Sequence, residues 1–224
     1  DVTGFAEGEA VSVIPPLDIA RWGTYGEVAN VPARLVVKHP AALSFEEAAA
    51  VWMQYVTAWG ALVEQAKLGE GDFVIVTAAS SSVGLAAFQI ARMVGATVIA
   101  TTRTGAKRQD LIDAGAHHVV ATEEEDLVAR VMEITDGQGA RVVLDPVGGP
   151  LLELLAATQR VDIVEPDLDV VGLESPGAVE QEFGVIENAQ LDADLGQQSH
   201  AFDIARVGAQ EMAADLLRAQ QSAL

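Results

Sequence analysis

The stretch that most constrains this chain is residues 72–102. An apolar, β-branched run at 73–76 enters a turn of small residues, a helical stretch follows and is closed by Gly95, and a second apolar run occupies 97–100. Strand, tight turn, helix and strand within about thirty residues is a βαβ unit, and the first turn of such a unit is where dinucleotides usually bind. The strands carry almost no alternation of polar and apolar residues, as expected when both faces of a parallel sheet are covered. Further alternation supports a larger sheet of the same kind. Residues 107–114 read as a short helix ended by Gly115, Val119 and Val120 as a strand, 122–135 as a helix, and 141–144 as a strand ended by Asp145-Pro-Val-Gly-Gly-Pro150.

The flanking segments read differently. Residues 1–40 look β-rich, with short strands expected at 10–14, 23–31 and 35–38, punctuated by Pro15-Pro16 and Pro40. His39 is expected to be a solvated loop residue. Ser44-Phe-Glu-Glu47 is a capping box opening a helix that runs to about Lys67, with a break expected near 54–57 and with Trp52 and Trp59 in the core. Thr122-Glu-Glu-Glu125 reads as a second capping box. Beyond Val161 the pattern weakens: strands at 162–164 and 169–171 and a helix capped by Ser199 are the expectations there.

Composition narrows the functional classes. Of 224 residues half are apolar, which suits a globular core, and no run of about eighteen apolar residues exists to suggest a membrane span. The net charge of −20 argues against a nucleic-acid partner, whose phosphates would be repelled. Residues 161–224 hold thirteen acids against two bases (Arg206 and Arg218), so −11 of the −20 lies there. With no cysteine there is no disulfide and no thiolate metal site, and a cytoplasmic location is the default. His117 and His118, adjacent in an extended segment, point to opposite faces and make a poor metal pair; no metal site is expected. The chain opens at Asp1 in what reads as mid-strand, which suggests a fragment.

Binding a pyrophosphate needs free backbone N–H groups and a helix amino terminus aimed at it. The window Ala79-Ser80-Ser81-Ser82-Val83-Gly84 keeps only the last of the three glycines of the strict fingerprint. Alanine and serine permit close approach if their φ angles stay negative, and a βα turn without a ligand is the alternative. After the second strand, an NAD-preferring protein would place an acid on the ribose 2′-hydroxyl. Here stand Thr101, Thr102, Arg103 and Thr104, with Lys107 and Arg108 behind them. Those hydroxyls and cations suit a 2′-phosphate, hence NADP; exposed charges at a helix start are the alternative.

Taken together in order, several segments resemble the medium-chain dehydrogenase/reductase superfamily, in particular its zinc-independent quinone oxidoreductase-like branch. They are Val2-Thr-Gly-Phe-Ala-Glu-Gly-Glu-Ala-Val11, Gly23-Thr-Tyr-Gly-Glu27, Leu43-Ser-Phe-Glu-Glu-Ala-Ala49, Thr57-Ala-Trp59 and Ala78-Ala-Ser-Ser-Ser-Val-Gly84. Arg103-Thr104 with Lys107, Ala114-Gly-Ala116 with Val119-Val120, and Asp145-Pro-Val-Gly148 complete the set. The resemblance covers about residues 1–158 and implies an α/β fold, a doubly wound Rossmann sheet with the remnant of a β-rich GroES-like domain before it. It implies three regions: 1–40 as the partial GroES-like catalytic domain, 41–160 as the NADP-binding domain, and 161–224 as a divergent acidic region.

The same resemblance implies hydride transfer from NADPH to a quinone or an α,β-unsaturated carbonyl, in a possible homodimer. Thr57 would contact the nicotinamide side. Ser81, Ser82, Val83 and Gly84 would hold the pyrophosphate, Thr102, Arg103, Thr104 and Lys107 the adenosine 2′-phosphate, and Val147 and Gly148 would lie by the nicotinamide ribose. No catalytic side chain is assigned, because the family's amino-terminal segment has no counterpart in this sequence. The cysteines of zinc-dependent relatives are missing, Thr122 stands where a tyrosine often contacts adenine, and the match fails beyond Gln159. A non-catalytic NADP(H)-binding protein and an enoyl-reductase module acting on acyl thioesters are the alternatives.

Overall fold

The computed structural model describes residues 3–15, 18, 20–39, 41–159 and, as backbone, 170–172. Described residues up to Val56 belong to one compact unit and those from Thr57 to another.

In the first unit, β1 (Val11–Val13) pairs antiparallel with β2 (Val36–Lys38), with Ser12 opposite Val37. The ladder is extended by bonds from Ile14 N–H to Leu35 O (2.8 Å) and from His39 N–H to Ala10 O (3.0 Å). So short a ladder holds only by burying one face. Ile14 and Val37 pack with Trp52 of α1 (Phe45–Trp59), and Val56 leans on them. The helix opens with a reciprocal capping box: Glu47 N–H donates to Ser44 Oγ (3.2 Å) and Ser44 N–H to Glu47 Oε2 (2.8 Å). No strand forms at 23–31, where Tyr25 and Val28 are fully exposed and no strand among the described residues pairs with the segment. His39 is not a solvated loop residue. It is half-buried, with Nε2 bonded to Leu43 O at 2.7 Å and its ring 4.9 Å from that of Phe45.

The expected break near 54–57 is absent. Burial of Val56 outweighs the few tenths of a kcal/mol that β-branched residues cost a helix. The winding changes only after Trp59, in a π-helical stretch Gly60–Gln65. Trp59 is half-buried and donates from Nε1 to Glu64 Oε1 (3.1 Å).

Among the described residues the second unit is built on five parallel strands in the order β5-β4-β3-β6-β7: β3 (Phe73–Val76), β4 (Thr97–Thr102), β5 (His118–Ala121), β6 (Val142–Asp145) and β7 (Val170–Gly172). Val76 lies opposite both Ala100 and Leu144, so β3 is paired on both edges. Ile75, Ile99, Val120 and Val143 form one core with Leu127 and Val131 of α4 (Leu127–Ile134) and Leu155 of α5 (Leu151–Ala157). The alternate positions Val74, Val76, Val98, Ala100, Val142 and Leu144 are equally buried, so both faces are covered. The helix α2 (Ser82–Met93) buries Ala87, Phe88, Ile90 and Ala91, and α3 (Arg108–Asp113) buries Leu111. The Rossmann sheet expected from the sequence is present.

Three local expectations change. The helix α4 is capped by Asp126, whose Oδ1 accepts from Ala129 N–H (2.9 Å), not by Thr122. Glu125 instead accepts from Ala121 N–H (2.9 Å) and pairs with Arg108. That backbone bond, then the Arg108 bond, hold its carboxyl below the usual range. The helix α5, following Pro150, was not anticipated. The strand expected at 169–171 is found one residue later. The proline stops at Pro16 and Pro40, the strand at 162–164, the helix from Ser199 and the remaining acidic region lie outside the described residues.

The two histidines are fastened to the sheet. His117 Nδ1 accepts from Val98 N–H (2.9 Å), and protonation there would end that bond. Desolvation, followed by Arg92, holds the His117 pKa below its ordinary value; desolvation, followed by His117 and Arg130, does the same for His118. The unfolded chain therefore binds protons first, and stability present above about pH 6.5 should be lost as pH falls below it. Urea unfolding should show this fall, and a His117→Asn, His118→Asn double variant should flatten it.

Candidate dinucleotide site

Parallel strands deliver every following turn to the same edge. The turns after β3, β4, β5 and β6 all leave the carboxyl ends of their strands, and the strand order reverses between β3 and β6. The crevice outside the carboxyl ends at such a reversal is where open α/β sheets bind ligands. The topology thus brings Ser81, Ser82, Val83 and Gly84, then Thr102, Arg103, Thr104 and Lys107, then Val147 and Gly148 to one edge. Thr57 is half-buried on α1.

At the first turn, Ser81 is the N-cap of α2, and its Oγ accepts from Gly84 N–H at 3.1 Å. Ser81 N–H donates to Ala78 O (2.8 Å) and Leu85 N–H to Ser81 O (2.9 Å). The first-turn amides left without a partner among the described residues are those of Ser82 and Val83. Two free N–H groups at the positive end of a twelve-residue helix suit a phosphate oxygen. Gly84 has a different duty. A Cβ there would stand 2.6 Å from Ala79 O and 2.9 Å from Ala79 Cα, so the glycine lets the helix lie against the turn. Within the window 79–84 no residue has a positive φ, as close approach requires; the left-handed residue, Ala78 at φ +44°, stands just before it.

The second turn carries the cations. Thr102 is half-buried; Arg103 and Thr104 are exposed. The Arg103 side chain makes no ion pair or hydrogen bond among the described residues. Lys107 reaches back across the edge, donating from Nζ to Ser80 Oγ (3.1 Å) and so joining the first two turns. Arg108 does not join them: it is spent on Val119 O and Glu125. From the third turn Glu124 Oε1 accepts from Gly105 N–H (2.9 Å), which sets a carboxylate beside this patch.

At the last turn Asp145 is buried, 1% exposed. Its carboxylate accepts from Thr77 Oγ1, from Val147 N–H (3.0 Å) and from Gly148 N–H (3.1 Å). Val147 is exposed and Gly148 buried. Neither Thr77 nor Ser80 was singled out from sequence. Asp145 was noted only as part of a motif. An acid ending an otherwise apolar strand was the available signal; its bond to Thr77, 68 residues away, was not readable. Among the described residues no group of three or more His, Asp or Glu stands where it could hold a metal ion.

These roles separate by substitution. Replacing Ala78 with glycine relieves a left-handed alanine and should raise stability by about 1 kcal/mol. Gly84→Ala forces a Cβ against backbone and should lower it by about 1–3 kcal/mol. Thermal or urea unfolding of both variants measures the two effects.

Residues 82–162 match the family profile described as zinc-binding dehydrogenase. The chain is 35% identical over 153 residues to a phenolphthiocerol/phthiocerol polyketide synthase of Mycobacterium tuberculosis, covering 68% of this chain and 7% of that protein. It is 40% identical over 126 residues to quinone oxidoreductase 1 of Escherichia coli, covering 56% of this chain and 38% of that one. Among solved structures, a 2-haloacrylate reductase superposes with a TM-score of 0.60 at 33% identity, over 71% of this chain and 49% of the other. The chain therefore spans well under two thirds of the relatives it matches. With its strand order, its switch-point turns and these likenesses, it belongs to the medium-chain dehydrogenase/reductase superfamily.

Proposed function

We propose that this chain is the nucleotide-binding part of an NADPH-dependent reductase that transfers a hydride to a carbon–carbon double bond conjugated to a carbonyl, or to a quinone. The observation that carries the proposal is one edge of a reversed parallel sheet on which free amides (Ser82, Val83), a cation patch (Arg103, Lys107) and a glycine loop (Val147, Gly148) follow one another. That is the sequence of chemistries along a dinucleotide: pyrophosphate, adenosine phosphate and nicotinamide ribose. No cofactor-binding group in this set is acidic at the second turn itself, and Arg103 and Lys107 favour a 2′-phosphate over a bare hydroxyl.

The cofactor, when bound, supplies the hydride; the protein's part is to bind and orient it. Ser82 and Val83 would donate to pyrophosphate oxygens, with Ser81 fixing the cap below them. Lys107 would exchange its bond to Ser80 for a charge-assisted one to phosphate, and Thr102, Arg103 and Thr104 would line the same phosphate. The backbone of Val147 and Gly148 would border the ribose, and Thr57 would face the nicotinamide. The β1–β2 ladder supports reading residues 1–40 as the end of a GroES-like catalytic domain, with 41–160 as the NADP-binding domain. A homodimer and a cytoplasmic setting belong to the same proposal.

A second reading has its own support. The similarity to a polyketide synthase, of which this chain spans 7%, favours an enoyl-reductase module acting on an acyl thioester. Both readings share the polarised double bond and differ in what carries it. Assays of NADPH consumption with the full-length protein should therefore compare a quinone, a free enone and a crotonyl thioester. Turnover of the thioester alone favours the second reading, whereas NADPH binding with no turnover on any acceptor leaves a non-catalytic binding protein.

Coenzyme choice has a separate test. Each charge-assisted bond to phosphate contributes about 1.5–3 kcal/mol. Arg103→Ala with Lys107→Ala should weaken NADPH binding by roughly two orders of magnitude or more and leave NADH within about threefold. Equal losses for both coenzymes would remove the 2′-phosphate assignment.

A further inference from the structure

Among the described residues Asp145 is the one charged side chain in the buried set, and it sits at the switch point. A buried carboxylate is costly to desolvate and persists only where donors satisfy it. Asp145 has three, and they come from two directions. Thr77 Oγ1 reaches it from the end of β3, and the Val147 and Gly148 amides reach it from the turn after its own strand. Thr77 N–H also bonds Leu144 O (3.0 Å), so side chain and backbone together lock the carboxyl ends of β3 and β6. The turn after β6 has exposed residues at Val147, Gly149 and Pro150, and both Gly148 (φ +65°) and Gly149 (φ +74°) are left-handed. Two consecutive left-handed glycines leave a backbone with many alternatives. The carboxylate selects among them by taking both preceding amides at once.

We propose that Asp145 is a positioning residue: by clamping Thr77 and the Val147 and Gly148 amides, it holds the loop that borders the nicotinamide half of the coenzyme in its binding shape. This rests on the dinucleotide reading above. It assigns Asp145 no contact with the coenzyme and no proton transfer. It also concentrates its influence on one half of the ligand, because the adenosine 2′-phosphate lies on the turn after β4, which Asp145 does not touch.

That asymmetry is the test. NADPH and adenosine 2′,5′-bisphosphate, which lacks the nicotinamide half, are titrated calorimetrically into the full chain and into its Asp145→Asn, Thr77→Val and Thr77→Ser variants. The unsubstituted chain must bind both ligands; if it binds neither, the dinucleotide reading itself fails. Given that binding, Asp145→Asn should weaken NADPH at least tenfold and leave the bisphosphate within twofold. Thr77→Val should give a smaller loss of the same selectivity, and Thr77→Ser, which keeps the hydroxyl, should restore affinity. Equal weakening of both ligands, or an unchanged NADPH affinity, overturns the proposal. If Asp145→Asn does not fold, the two Thr77 variants decide: a selective loss in valine rescued in serine supports the clamp, and no difference between them refutes it.

Discussion

Everything in the second unit depends on β3 being enclosed on both edges and both faces. Val74, Ile75 and Val76 are wholly buried, with β4 on one side and β6 on the other. A strand in that position has nowhere to place a polar side chain, so chemistry is expelled to its end, at Thr77 and the turn beyond. The parallel pairing then collects the ends of the neighbouring strands on the same edge. Because β4 and β6 flank β3 from opposite sides, the turns that follow them diverge and leave a crevice. The site is a consequence of strand order before it is a consequence of any motif.

The weak glycine motif is reconciled at this level. A phosphate cradle needs free amides and room; glycines are one way to provide them. Here the room comes from small side chains, and the amides come from a helix whose serine cap takes the third N–H and leaves Ser82 and Val83 open. Gly84 survives because backbone packing against Ala79 forbids any Cβ, a reason independent of ligand. In a chain of net charge −20, the few cations on this edge matter more than their number suggests. Lys107 reaches the first turn at Ser80, Arg103 is exposed on the second, Arg108 is withdrawn into a structural pair, and Glu124 tempers the patch from the side.

Legibility followed the range of the interactions. The strands 73–76 and 118–121, the helix cap at Ser44 and the overall βα order were readable because apolar runs and local caps determine them. Residues 23–31 misled because β propensity is satisfied only by a partner strand, and among the described residues none pairs with them. The capping box at Thr122 misled for a related reason: Glu125 was drawn into a tertiary pair with Arg108, and Asp126 took the cap. His39 read as solvated because its contact with Phe45 requires the helix start to fold back. At the site, the candidate turns were visible as residue types, but the Thr77–Asp145 bond and the Lys107–Ser80 bridge join residues far apart in the chain and needed the fold.

The central claim is that the open amides of α2 and the clamped loop after β6 receive a dinucleotide. Backbone amide resonances of the isotopically labelled full chain, followed as NADPH is added, test it most directly. The account predicts saturable shifts that are largest at Ser82, Val83, Val147 and Gly148, with little change along β1, β2 and the start of α1. Saturation with those four amides unmoved, or no shifts at all, would contradict it.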